Sequence, residues 1–146
     1  MVVFLCLFIT GCERFSAGSY PYAEQYEFEI DDTSLINELT NIKRLDSSLR
    51  IPLDWNLIDG YEDKRPDNHW YHMYFYDKTR DKIIHTWVRE NMESNAVLAL
   101  VSIKENSTNG KWKEINKDFT QSQNSVEKKE FAKLILQKIK YPLNQK

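Results

Sequence analysis

The chain has 146 residues, with 20 Lys+Arg against 22 Asp+Glu, 13% aromatic residues, and only 4 Gly and 2 Cys. That length suits one domain, and 4 Trp, 8 Tyr and 7 Phe supply enough apolar surface for a packed core, which speaks against whole-chain disorder. A net charge of −2, with Lys scattered among acids, offers no long-range attraction for a polyanion and speaks against a nucleic-acid partner.

The first element is an apolar run, Val2 to Ile9, followed at once by Thr10, Gly11, Cys12 and the polar pair Glu13 and Arg14. Eight residues rise about 12 Å as a helix, too short for a hydrocarbon core of roughly 30 Å. A short apolar run that ends in small residues reads instead as the core of a secretory signal. The sequence Ile9-Thr10-Gly11-Cys12 resembles the lipobox of bacterial lipoproteins, in which an aliphatic and two small residues precede a Cys. The resemblance covers only this first dozen residues. It implies removal of residues 1–11, a diacylglyceryl group on the Cys12 thiol, and a protein held at the bacterial cell envelope by lipid. The competing reading of the same run is a buried N-terminal strand, since Val, Phe and Ile also favour β structure. Residues 12–22 then form a tether of small, polar and turn-forming types, and residues 23–142 form one domain. With Cys6 removed and Cys12 alkylated, that domain has neither a free thiol nor a disulfide.

Ala23 to Ile30 alternates, with Tyr26, Phe28 and Ile30 on one side and Gln25, Glu27 and Glu29 on the other, which predicts a half-exposed strand. Asp31-Asp32-Thr33 provides an N-cap, and Leu35, Ile36, Leu39, Ile42, Leu45 and Leu49 predict an amphipathic helix stopped near Pro52. An irregular acidic loop follows, from Leu53 to Asn68, carrying Trp55. Strands are expected over Trp70–Tyr76, Lys82–Arg89 and Ala96–Lys104, with a turn at Asn109-Gly110 and a short return strand over Lys111–Ile115. A second amphipathic helix is expected from Asn124 to Lys140, capped by Asn124 or Ser125, with Glu127 in its first turn and Phe131, Leu134, Ile135 and Ile139 buried. This order predicts an α+β fold: an antiparallel sheet of four or five strands with two amphipathic helices packed on one face.

One register of the first hairpin sets Tyr71, Met73 and Phe75 beside Ile84, Thr86 and Val88 as a core face. The opposite face then carries Trp70, His72, Tyr74 and Tyr76 with Ile83, His85 and Trp87. It is aromatic and histidine-bearing where a solvated face would be charged. Two arrangements fit. The loop with Trp55 and Tyr61, or the tether around Tyr20 and Tyr22, packs there; or the face is an open platform for a ligand or a partner.

Two functions from different classes follow. The first is a non-enzymatic binding domain that uses Trp70, His72, Tyr74, Tyr76, His85 and Trp87 toward an envelope protein or a small ligand, with no metal or cofactor. The second is a small envelope hydrolase or metal-dependent enzyme built on His72, His85 and the loop carboxylates Asp54, Asp59, Glu62, Asp63 and Asp67. The sequence has no zinc-protease, nucleophile-elbow, phosphate-loop or dinucleotide-binding motif, which favours the first.

Overall fold

The computed structural model describes residues 19–61 and 69–144. The apolar run, Cys12, and the loop acids Glu62, Asp63 and Asp67 lie outside the described residues. The fold is α+β. Strands β1 (Glu24–Phe28), β2 (Gly60–Tyr61), β3 (Tyr71–Asp77), β4 (Lys82–Glu90), β5 (Ala96–Glu105) and β6 (Trp112–Glu114) join helices α1 (Asp32–Leu45) and α2 (Gln121–Leu134). All six strands belong to one antiparallel sheet of order β1-β5-β4-β3-β2, with β6 also paired to β5. β6 is the return strand expected over Lys111–Ile115, and the count exceeds the expected four or five because β2 is two residues long, too short for period-two patterning to reveal.

β1 and β6 lie end to end along one edge of β5, pairing through Leu100 and Ser102 respectively. The whole stretch Ala96–Ile103 is therefore buried. The β4–β5 register shifts between His85 and Thr86, opposite Ser102 and Leu100, so Val101 is a bulge. Leu98, Leu100 and Ile103 point into the main core, whereas Val97, Ala99 and Val101 pack with Trp87 on the other side.

The main core joins Leu35, Leu39 and Ile42 of α1 and Phe131 of α2 to Met73, Phe75, Ile84 and Val88 of the sheet. Asp31 caps α1 by accepting the Ser34 N–H at 2.8 Å. The helix ends at Leu45, short of Pro52, because the Asp46 carboxylate accepts from Ser48 N–H and starts a separate 3-10 turn over Ser47–Leu49. That turn buries Leu49, while Leu45, expected in the apolar stripe, is 71% exposed. α2 begins at Gln121, with Thr120 as cap in place of Asn124 or Ser125. Thr120 Oγ1 accepts the Gln123 N–H, and Gln123 Oε1 accepts the Thr120 N–H. Asn124 serves the preceding turn, accepting from Asn116 N–H at 2.9 Å.

The Asn109-Gly110 pair does not form a two-residue hairpin. Asn106 takes the left-handed conformation (φ 56°), and Gly110 N–H closes the loop on the Asn106 carbonyl at 2.8 Å. Gly110 is needed for close approach, since a Cβ there would lie 1.3 Å from the Glu105 carbonyl oxygen.

Candidate functional site

The hairpin register matches the one derived from patterning: Tyr71 opposes Val88, Met73 opposes Thr86 and Phe75 opposes Ile84. Strand alternation therefore sends His72, Tyr74 and Tyr76 to the same side as Ile83, His85 and Trp87. Three rings form a stacked column on that side. Tyr74 lies directly across from His85 with centroids 4.9 Å apart and planes 16° from parallel; His72 stacks on His85 diagonally at 5.0 Å. His72 Nδ1 and His85 Nε2 are hydrogen-bonded at 2.7 Å, so one imidazole donates and the other accepts. Burial, and secondarily the neighbouring charge of His72, push His85 down to about 3. It is therefore neutral near pH 7.

The face is not an open platform. Trp87 and His72 are buried, Trp70, Tyr74, Tyr76 and His85 half-buried. Tyr20, from the segment expected to be a tether, lies over the sheet with its ring centroid 5.7 Å from His72, 5.9 Å from Trp70 and 6.1 Å from His85. Arg89 stacks over Trp87 and Trp70 at 5.2 and 5.8 Å. Tyr76 is drawn away from the other site residues: its ring meets Trp55 edge-on at 5.1 Å and its hydroxyl donates to Asp81.

Beside Tyr20 a cleft of about 310 Å³ opens between the sheet and the loop 56–61, lined by Asn56, Leu57, Ile58 and Tyr61 on one wall and His72, Tyr74 and His85 on the other. On the far side of Tyr20, a second hollow of about 220 Å³ reaches His85, Ser102, Trp112 and Glu114. Tyr20 thus divides a continuous aromatic trough. Trp112, 6.0 Å from His85, and Ser102 were not among the residues expected here. Trp112 belongs to a strand too short to show its phase, and the Val101 bulge is what turns Ser102 toward His85.

The enzymatic alternative meets three observations. Asp59 lies outside any histidine cluster, its oxygens accepting from Lys43 Nζ at 2.5 Å and Tyr74 N–H at 3.0 Å. Among the described residues no group of three or more His, Cys, Asp or Glu could hold a metal ion. Ser102 Oγ is 3.5 Å from His85 Nδ1, the outer limit of a hydrogen bond, and an imidazole poised near 3 is a weak base at neutral pH. What the arrangement offers is stacking surface beside imidazole nitrogens able to hydrogen-bond, with His85 neutral near pH 7. No helix among the described residues is long and apolar enough to cross a membrane. No protein-family model, no curated protein and no solved structure matches the chain.

Proposed function

We propose that this chain is a bacterial envelope lipoprotein, anchored through Cys12, whose α+β domain binds an uncharged planar ligand without transforming it. The observation that carries the binding reading is the cleft beside Tyr20, whose walls pair aromatic faces with two mutually hydrogen-bonded imidazoles. Such a wall stacks on a flat ring and offers it hydrogen bonds, and no Asp, Glu, Lys or Arg lines it among the described residues. In this reading α1 and α2 both cover the opposite sheet face, which the shared core of Leu39, Phe131, Met73 and Phe75 supports. The division of labour leaves one side of the sheet for the main core and, on the other, the cleft beside Tyr20 for the ligand.

Two experiments test the two halves. Titrating the protein with indole, as a neutral planar probe, should shift the ring resonances of His72 and His85, and Tyr74→Ala should abolish the shift. Unchanged His resonances at millimolar indole would overturn the binding reading. Cys12→Ser should remove lipid labelling and release the protein from membranes; a labelled, membrane-bound Ser variant would overturn the anchor.

A further inference from the structure

We propose that the segment Leu53–Tyr61 is the surface on which the domain meets the lipid bilayer, so that the Tyr20 cleft opens toward the membrane. The inference rests on the reading of Cys12 as the lipid anchor. Three large apolar or aromatic side chains in nine residues face water: Leu53 is 99% exposed, Ile58 82% and Tyr61 56%. The backbone that bears them is fixed. Trp55 packs edge-on against Tyr76, Asp59 is held between Lys43 and Tyr74, and Gly60 and Tyr61 pair with His72 and Tyr71. A pinned loop that still presents Leu and Ile to solvent needs an apolar counterpart.

The chain itself says where that counterpart lies. Ile58 and Tyr61 line the same cleft as Tyr20, and the first described residue is Ser19. Six residues, and so seven Cα-to-Cα steps, separate Cys12 from Ser19, a span of at most about 25 Å when fully extended. A lipid on Cys12 therefore keeps the Tyr20 side of the domain close to the bilayer surface. Leu, Ile and Tyr tips at that surface bury apolar area in the interface while the tyrosine hydroxyl stays hydrated. The loop Leu53–Asn68 carries five carboxylates, Asp59 among them paired with Lys43, against only Lys64 and Arg65, so it brings no net positive charge of its own. Contact with zwitterionic lipid is accordingly favoured over contact with an anionic one.

The test uses the lipidated protein, purified from membranes and reconstituted into phosphatidylcholine vesicles that contain nitroxide-labelled lipid. Ile58→Cys and, as the control, Val126→Cys each carry a fluorophore. Val126 is 54% exposed on α2, whose Phe131 lies in the core on the opposite side of the sheet from Tyr20. Both substitutions are at exposed sites that the fold does not need. We expect at least about threefold stronger quenching at position 58 than at 126, as a loop seated in the headgroup region requires. Equal quenching, or none at either position, overturns the proposal. Self-quenching between labelled loops that rises with protein density would assign the surface to a second copy of the chain and overturn it as well. Mass spectrometry of the same preparation reads Cys12 separately: an unmodified sulfur defeats the anchor, whereas a lipidated Cys12 with equal quenching defeats only the loop contact.

Discussion

Lys43 on α1 and Asp59 on the loop meet at 2.5 Å over the outer edge of β3, and together they take both backbone groups of Tyr74. The Lys43 ammonium donates to the Tyr74 carbonyl at 2.8 Å, and Asp59 Oδ1 accepts the Tyr74 N–H at 3.0 Å. Two side chains thus do what a neighbouring strand would do, at a point where β2 is only two residues long.

Removing that cover should expose a pairing edge. Asp59→Ala removes the acceptor of the Tyr74 N–H and the counter-ion of Lys43, which keeps the Tyr74 carbonyl, and should cost about 1–3 kcal/mol and raise self-association. Urea unfolding measures the first effect and light scattering at increasing concentration the second. A monomeric, fully stable variant would show the edge to be protected by β2 alone.

Acid should destabilise the protein through His85. In the unfolded chain this imidazole titrates near 6.5, whereas in the fold burial holds it down to about 3. Between those values the unfolded state binds the extra proton. Stability is therefore full above about pH 6.5 and falls with pH by at most about 1.4 kcal/mol per unit until about pH 3. Carboxylates act lower: the Lys138 ammonium holds Asp46, and the Ser107 hydroxyl holds Asp81, below the usual carboxylate range. The window from pH 6.5 to 4.5 consequently lies above these carboxylates and is where the burial of His85 is felt. Unfolding midpoints should decline across it, and His85→Gln should remove most of the decline.

Trp87→Ala should cost about 3–5 kcal/mol, because the ring is 2% exposed and anchors the cluster of Val97, Ala99, Val101 and Tyr20. Trp87→Phe should cost less than half of that. Its indole N–H is buried with no hydrogen-bond partner among the described residues, so losing it forfeits no bond. Chemical denaturation of the two variants at neutral pH gives the comparison directly.

Glu127, expected in the first turn of α2, lies in its second turn, where it is buried and receives Arg80 at 2.8 Å and Lys82 at 2.5 Å. Glu127→Ala strands two cations, although Arg80 keeps Asp77 and Lys82 keeps Glu105 at 3.6 Å. A loss of about 3 kcal/mol is expected, at the low end for a broken buried pair. The double variant Lys82→Met, Glu127→Leu should recover part of it, as thermal unfolding would show.

What the sequence disclosed follows the range of the forces involved. Alternation along β3 and β4 is a local signal with a fixed period, so it assigned His72, Tyr74, His85 and Trp87 to one face and even set their register. Asp31 was legible as a cap because capping acts within one turn. The start of α2 was misplaced because Thr120 and Asn124 are both competent caps, and only the reciprocal bond from Gln123 decides between them. Tyr20 was legible as one of several possible covers but not as the one that divides the trough, since its placement depends on four rings drawn from two other strands and their flank. The ion pairs of Glu127 were not legible because Arg80 and Lys82 are 47 and 45 residues away.

The extra residue at Val101 decides which single-codon deletions the central strand tolerates. Its first half sends Leu98 and Leu100 into the main core, and its second half sends Ile103 there too, across an interval of three that alternation alone would forbid. Deleting Ala99 would turn Leu100 toward the trough and bring Val101 into the core, whereas deleting Val101 itself would restore plain alternation and leave Leu100, Ser102 and Ile103 on the sides they already hold. Deletions in the 106–111 loop carry no such penalty of phase. The reading frame of this strand, counted in residues, is therefore what keeps Leu100 out of the trough.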